Sequence, residues 1–185
     1  MAGTDMDNRS EPELNNLPGE RDAFSIFDEL IEGPMRAQVP PVMKSTFDER
    51  PDIYNAVMAA GRPILFEGAL PVSVKQMIVM LIASHRNCRF SCKTHKLLLQ
   101  ALGIDDALID NCIQDPGMNL VPPMYRQIIR FAMLTAENPN QVDDRQFDQL
   151  RDSGLNDEEI LEAAMVASFA NFLVTWTDVR VSVDS

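Results

Sequence analysis

Apolar residues recur at spacings of three and four along most of this chain, and a glycine or proline ends most of the runs. This spacing places apolar side chains on one face of an α-helix, whereas a half-buried β-strand requires alternation with a period of two. Only Val179, Val181 and Val183, near the C-terminus, alternate in that way. The pattern predicts an all-α fold, a single compact domain of about six to eight helices.

Capping residues, prolines and glycines mark the expected helix boundaries. In the N-terminal half, we predict helices from Ala23 to Gly33, from Pro51 toward Gly68, across residues 77–82 after a capping box of Ser73 and Gln76, and from near Cys88 or Ser91 to Gly103. In the C-terminal half, we predict helices at 105–113, from Pro122 toward Pro139, from Asp143 to Gly154, and from Asn156 to about Asp178. Gly61 and Pro63 are expected to weaken the second half of the helix that starts at Pro51.

The charge and its distribution restrict the partners that the chain can bind. Residues 1–20 are polar and acidic, which predicts a flexible N-terminal tail before a helical domain at 21–185. The net charge of -12 disfavours binding to nucleic acid or to anionic membranes. The N-terminus has no basic, apolar signal pattern, and the strongly apolar run at 77–83 is far shorter than the roughly 20 residues needed to cross a bilayer. We expect a cytoplasmic protein with neither nucleic acid nor membrane as a partner.

The candidate chemistry lies between His85 and His95. No acidic residue occurs between Glu67 and Asp105, although the chain has 28 acidic residues. The same stretch contains five cations: Lys75, Arg86, Arg89, Lys93 and Lys96. Cations and a helix N-terminus can lower the pKa of a thiol from roughly 8.5 by one or more units, which favours the reactive thiolate. This predicts a positive field around Cys88 and Cys92.

Cys88 and Cys92 are candidates for a redox pair. Regular helix geometry leaves side chains at this spacing about 5 to 6 Å apart at Cβ, wider than the roughly 3.8 Å that a disulfide prefers. If Cys88 is the N-cap, its non-helical backbone lets it approach Cys92. His95 and His85 could each accept or relay a proton. The alternative is that buried helices exclude acids in any case and that cysteine is a small core residue, as we expect for Cys112.

A metal site is a further alternative at the same four side chains, which are all zinc-ligand types. Along one straight helix they would span roughly 15 Å, too far for one tetrahedral site. A sharp break at Asn87 would be needed to bring them together. We therefore predict neither a metal nor another cofactor.

The stretch SVKQMIVMLIASHRNCRFSCKTH resembles the AhpD-like and carboxymuconolactone decarboxylase family, which has a glutamate followed by C-x-x-C-x-x-x-H across two adjoining helices. The segments FDERPDIYNAVMAAGRPILFEGALP and GLNDEEILEAAMVASFANFLV extend the likeness to roughly residues 45–175. The resemblance identifies the chain as a divergent member. It implies an AhpD-like helical fold and homo-oligomers, trimers or hexamers.

The resemblance also implies roles for individual residues. Cys88 corresponds to the first family cysteine and His95 to the family histidine. Ser91 occupies the position of the second cysteine, with Cys92 displaced by one, and Gln76 occupies the position of the glutamate. Gln76 cannot take a proton, so a base would have to be His95, His85 or water, and a helix-capping role for Gln76 stays open.

Three functions follow as hypotheses. The leading one is an enzyme, a thiol-dependent hydroperoxide reductase or disulfide oxidoreductase with an antioxidant role, which receives electrons from a dithiol protein. The second is decarboxylation of a small cyclic acid, with Arg86, Arg89 or Lys93 holding the carboxylate and His95 moving a proton. The third is an oligomeric binding protein that kept the fold and lost the activity; ordinary thiol titration would favour it.

Overall fold

The computed structural model describes residues 22–179, and within that range every regular element is a helix. The nine α-helices there are α1 Ala23–Glu32, α2 Pro41–Glu49, α3 Pro51–Phe66, α4 Val72–His85, α5 Arg89–Ala101, α6 Asp106–Gln114, α7 Pro123–Glu137, α8 Asp144–Asp152 and α9 Asp157–Asp178. Two short 3₁₀ segments are Arg36–Gln38 and Pro139–Gln141. The all-α prediction is confirmed. The tail predicted at 1–20, together with Val181 and Val183, lies outside the described residues.

Helix α4 is the centre of the core. All of residues 73–83 are buried, and the helix packs against α5, α7 and α9. A helix that is apolar on nearly every side can be stable in water only when neighbours cover it all round. Helix α4, which covers the helix predicted across residues 77–82, is therefore the central and nearly dry helix of the fold.

Helix α9 is the long partner of α4. Its core-facing residues recur at spacings of three and four: Ile160, Ala163, Val166, Ala167, Ala170 and Val174. With 22 residues it is long and apolar enough to cross a membrane by length and composition. However, it packs against α4 and α7, and the core helix of a soluble domain meets the same criteria. We interpret α9 as a core helix.

The number of helices exceeds the predicted six to eight because α2 was missed. Helix α2 begins at Pro41, which is suited to a first helical position, but it buries only Met43. With so few buried apolar residues, it lacks the periodic pattern from which the other helices were predicted.

The second half of α3 is helical, although Gly61 and Pro63 were expected to weaken it. Gly61 faces α9, where a Cβ atom would lie only 3.2 Å from the ring of Phe169. The glycine therefore allows a close approach of α3 and α9, and tertiary packing compensates for its poor helix propensity.

The capping box predicted at Ser73 and Gln76 is wrong. Helix α4 begins at Val72 after Pro71, and no side chain caps it. Both Ser73 and Gln76 are buried, and the amide of Gln76 bonds to groups on other elements. Buried polar groups need partners, and here the tertiary partners replace the local one.

The helix starts predicted at Asp143 and Asn156 are confirmed, and each is a capping box. Asp143 and Gln146 bond reciprocally at the start of α8, and Asn156 and Glu159 do the same at the start of α9. These sites are exposed, so no buried partner competes with the local hydrogen bonds.

Candidate functional site

The candidate site lies at the junction of α4 and α5. Asn87 has a φ of 58°, in the left-handed region that Asn tolerates better than most residues. Cys88 follows as the N-cap of α5 with extended dihedrals, and its backbone N–H donates to the carbonyl of Ala83 at 2.9 Å. A break at Asn87 and an N-cap position for Cys88 entered the sequence-based hypotheses only as conditions, and the structure has both. Asn87 therefore separates α4 from α5, and Cys88 lies at the start of α5.

Cys88 and Cys92 line the same open cleft, which has a volume of about 990 Å³. Both are free thiols; Cys88 is 2% exposed and Cys92 is half-buried. The cleft is also lined by Ser84, Asn87, Arg89, Phe90, Lys93, Lys96, Thr177 and Asp178. Both cysteines therefore border the same cleft, and Cys92 is the more accessible of the two.

The sulfur of Cys88 lies between two hydroxyl groups. Its Sγ is 3.5 Å from Ser91 Oγ and 3.3 Å from Thr177 Oγ1, and the two oxygens are 3.3 Å apart. The hydroxyl of Thr177 also donates to the carbonyl of Leu173 at 2.8 Å. Because a hydroxyl has one hydrogen, Thr177 can only accept from Cys88 and Ser91 while that bond holds. In the structure the Cys88 thiol donates to Ser91 Oγ, and the Ser91 hydrogen, unlike that of Thr177, is not committed to a backbone carbonyl.

Thr177 belongs to the site but has no sequence signal. It lies on the last turn of α9, 89 residues from Cys88, and the docking of α9 brings it to the sulfur. A threonine at the end of an apolar helix has no feature that distinguishes it from a residue with only structural contacts.

The electrostatics of Cys92 differ from the expectation. Burial raises the pKa of the Cys92 thiol, while a hydrogen bond with Ser84 and the charge of Lys96 oppose that effect without reversing it. Loss of hydration outweighs nearby positive charge because the thiolate form is the one that needs water. The third cysteine, Cys112, is buried on α6 as expected, and burial raises its pKa to about 11.

The predicted positive field is smaller than the sequence indicated. Lys75 is fully buried and paired with Glu162 at 2.7 Å, and Lys96 is paired with Asp110 at 2.6 Å. Arg86 donates to the carbonyl of Ala136 and lines a different pocket. The remaining two cations, Arg89 and Lys93, both line the cysteine cleft.

His95 is buried and bonded to Gln76. Its Nδ1 is 2.7 Å from Gln76 Oε1, and Gln76 Nε2 donates to the carbonyl of Leu65 at 2.7 Å. Since the amide nitrogen of Gln76 is committed to a carbonyl, Oε1 accepts, and His95 Nδ1 carries the proton. Nε2 is then the basic nitrogen. Burial lowers the pKa of His95 to about 4, so the ring is neutral at pH 7.

His95 lines a cavity of about 130 Å³ on a different face of α5 from the cysteine cleft. The walls include Phe27, Met43, Tyr54, Met58, Phe90 and Trp176. Ser91 and Thr177 also line this cavity, and both contact Cys88. The two hydroxyl groups are therefore the connection between the imidazole cavity and the thiol cleft.

His85 lies apart from this arrangement. It is exposed at the end of α4, its Nε2 is 4.0 Å from Glu137, and it lines a pocket with Arg86 rather than with the cysteines. In the part of the chain that the structure describes, no group of three or more His, Cys, Asp or Glu residues has the arrangement of a metal site. Cys88, Cys92 and His95 are thus grouped around α5 without His85.

No protein-family model matches the sequence, and no curated protein matches it significantly. Solved structures do match the fold. One is the alkylhydroperoxidase AhpD core of a peroxidase-related protein from Ralstonia eutropha JMP134, at 23% identity and a TM-score of 0.66, covering 89% of this chain and 85% of that one. The chain has the AhpD-like fold.

Two further structures agree with the AhpD-like fold. A peroxidase-related protein from Silicibacter sp. TM1040 has 20% identity and a TM-score of 0.69, covering 95% of this chain and 91% of that one. The debrominase Bmp8, with a cysteine replaced by alanine and in complex with 2,3,4-tribromopyrrole, has 17% identity and a TM-score of 0.64, covering 90% and 91%. The predicted resemblance is thereby confirmed at the level of the fold.

Within this AhpD-like fold, the four positions carried over from the resemblance form two contacts. Gln76 bonds to His95, and Cys88 bonds to Ser91. Cys92, one position after Ser91, turns instead toward the open cleft. Cys92 therefore lines a different cavity from the one that His95 lines.

Proposed function

We propose that this protein is a thiol-dependent oxidoreductase that reduces hydroperoxides through Cys88 and Cys92. The observation that carries the proposal is that two free thiols, one turn of helix apart, line one open cleft at the start of α5. A structural role would not require the less buried thiol to face solvent, since buried cysteines pack as small apolar residues. The peroxidase-related descriptions of two structural neighbours agree with this chemistry.

The proposed reaction begins at Cys92, the more accessible sulfur. Its thiolate attacks the outer oxygen of ROOH, the O–O bond breaks, and RO⁻ takes a proton and leaves as an alcohol. Cys92 becomes a sulfenic acid. The Cys88 thiolate then attacks the Cys92 sulfur, which forms a disulfide and releases water. A dithiol donor reduces that disulfide by two exchange steps, so its two electrons reduce the peroxide.

Ser91, Thr177 and His95 have supporting roles in this proposal. In the resting site the Cys88 thiol donates to Ser91 or to Thr177, and in this proposal the Ser91 hydroxyl rotates to donate to the sulfur once it is ionised. His95 is a neutral base, held by Gln76, in the cavity that Ser91 also lines. We infer that the imidazole, which shares this cavity with Ser91, acts on the thiol through the Ser91 hydroxyl. A dithiol protein as electron donor, assembly as a trimer or hexamer, an antioxidant role and a cytoplasmic location belong to the same proposal.

The test is peroxide consumption with dithiothreitol as the donor. We expect Cys88→Ser and Cys92→Ser each to abolish turnover, because each removes one sulfur of the disulfide. Cys112→Ala is the matched control, since Cys112 is buried on α6 and should leave turnover within about twofold of the wild-type rate. The disulfide itself can be located by mass spectrometry, because trypsin cleavage at Arg89 separates the two cysteines.

Two results would contradict the proposal. One is unchanged turnover in Cys88→Ser. The other is peroxide-treated wild-type protein in which the peptides of Cys88 and Cys92 stay unlinked while turnover proceeds. Either result would show that the pair does not form the disulfide on which the cycle depends.

A second candidate is proton transfer on a small ring compound, which includes decarboxylation of a small cyclic acid. The observation that favours it is the aromatic-walled cavity into which His95 presents a basic nitrogen. The debrominase neighbour, in complex with a brominated pyrrole, agrees with a ring-shaped ligand. Arg89 and Lys93 line the other cleft, so they are not positioned to hold a carboxylate beside His95. Carbon dioxide release that persists with both cysteines replaced would favour this candidate.

A further inference from the structure

We propose that Arg89 and Lys93 form an anion-binding subsite beside Cys92, and that the substrate bears a carboxylate next to its reactive group. This inference concerns the class of substrate that binds in the cleft lined by Cys88 and Cys92. Its consequences for turnover rest on the proposed function. The binding of the anion itself can be tested separately.

The charge balance inside the cleft supports the subsite. Among residues 22–179, three cations line it, and Asp178 is the one acidic residue there that does so. Lys96 is neutralised by Asp110. Lys93 donates to Gln38 Oε1 at 3.0 Å, and a neutral amide leaves its positive charge uncompensated. Within residues 22–179, Arg89 makes no ion pair. The cleft therefore keeps two free positive charges against one carboxylate.

The positive charge of the cleft contrasts with the negative net charge of the whole chain. The protein has a net charge of -12, so an anionic solute is repelled from most of its surface. Most other arginines of the described region have a local acceptor: Arg50 pairs with Asp52, Arg62 with Glu67, and Arg151 with Asp157. Arg89, in contrast, is exposed at the thiol cleft with its guanidinium available for a ligand.

The helical register places these cations at the reacting sulfur. Arg89 and Lys93 are four residues apart, as are Cys88 and Cys92, and all four line the same cleft. Residues at this spacing are neighbours, about 5 to 6 Å apart at Cβ. A guanidinium can bind a carboxylate with two parallel hydrogen bonds, which fixes its orientation. A carboxylate bound there would hold a peroxide on the same small molecule within reach of Cys92.

The subsite can be tested without turnover by a matched pair of alkylating reagents, anionic iodoacetate and neutral iodoacetamide. The protein would carry Cys88→Ser and Cys112→Ala, so that Cys92 is the single thiol and intact mass reports its modification. We expect the iodoacetate-to-iodoacetamide rate ratio to be about three- to tenfold higher in the folded protein than in the unfolded chain. Arg89→Gln should return the ratio to the unfolded value.

Arg145→Gln is the control for that experiment, because Arg145 is exposed on α8 and lies outside the cleft. It should leave the ratio unchanged, and added salt should lower the wild-type ratio. An equal ratio in wild-type and Arg89→Gln proteins would overturn the subsite, as would a folded-state ratio at or below that of the unfolded chain.

The turnover test compares cumene hydroperoxide with its para-carboxylate derivative in the wild-type protein. We expect a kcat/KM about five- to tenfold higher for the carboxylate, a preference that Arg89→Gln removes and that the control Arg145→Gln keeps. Equal rates with the two peroxides would overturn the substrate class and leave the peroxidase proposal standing. Consumption of neither would overturn the peroxidase proposal, and the alkylation ratio would then decide the anion subsite by itself.

Discussion

The two hydroxyl groups around Cys88 differ in what they can do for a thiolate. Thr177 already donates its hydrogen to the carbonyl of Leu173, so it accepts from the thiol and favours the protonated form. Ser91 accepts from the Cys88 thiol in the structure, and because its hydrogen is not committed to a backbone carbonyl it can rotate to donate once the sulfur is ionised. Hydrogen bonds to the charged form of a group favour that form. Ser91 therefore activates Cys88 in our interpretation.

At the residue scale, we predict opposite effects for the two hydroxyls. Ser91→Ala should slow alkylation of Cys88 by iodoacetamide at pH 7.5 about three- to tenfold, because the thiolate loses its donor. Thr177→Val, which keeps the shape of the side chain, should leave that rate unchanged or raise it. The rates are measured by mass spectrometry on the peptide of Cys88. Equal slowing in both variants would indicate a packing effect instead.

Among the elements, α9 is tied to the segment between α3 and α4 by Glu162. This carboxylate accepts the backbone N–H groups of Ala69 and Leu70 at 2.8 and 2.9 Å and pairs with the buried Lys75. Partial burial alone would raise the pKa of Glu162, but the hydrogen bonds from Lys75 and the two amides lower it. Lys75 also donates to the carbonyl of Glu67. The cluster therefore fixes α4, and with it the cysteine junction, relative to α9.

At the element scale, we predict that Glu162→Gln lowers the free energy of unfolding by about 3 to 5 kcal/mol, because the buried Lys75 loses its counter-charge. Glu158→Gln is the control on the same helix, since Glu158 is exposed, and its effect should stay within about 0.5 kcal/mol. Both values come from urea denaturation followed by circular dichroism at pH 7. If Glu162→Gln lowered the free energy of unfolding no more than Glu158→Gln does, this would mean that water reaches Lys75 and compensates its charge.

For the whole molecule, the neutral buried His95 links stability to pH. Its folded pKa is about 4, below the unfolded value of 6.5. Between those values the unfolded chain binds a proton that the native protein excludes. The contribution of the neutral His95 to the free energy of unfolding is therefore fully present above pH 6.5 and is lost as the pH falls toward 4. The difference between the folded and unfolded pKa values corresponds to about 3 kcal/mol in the free energy of unfolding.

At this scale, we predict that wild-type protein loses about 3 kcal/mol more stability between pH 6.5 and pH 4 than His95→Gln does. The second histidine provides the control, because His85 is exposed and His85→Gln should follow the wild-type pH dependence. Urea denaturation across this pH range measures the differences. Titration of the two imidazoles in the wild-type protein by NMR checks the same point without a variant, and a pKa near 6.5 for His95 would contradict it.

Much of the fold could be predicted from local patterns. The boundaries at Asp143 and Asn156, the central position of α4 and the N-cap position of Cys88 all depend on residues within one turn of each other. Helix α2 was missed because it buries too little to leave a pattern. The capping role assigned to Ser73 and Gln76 was wrong because partners distant in sequence competed for the same side chains.

By itself, the sequence determined the all-α fold, most helix boundaries and the position of Cys88 and Cys92 at a helix start, because apolar spacing and capping act over three or four residues. Only the tertiary structure decided which side chains the polar residues in and around the candidate site contact. It bonded His95 to Gln76, paired Lys75 with Glu162 and brought Thr177 to Cys88. Such contacts follow from how helices distant in sequence pack around α4, and side-chain spacing along one helix carries no information about them.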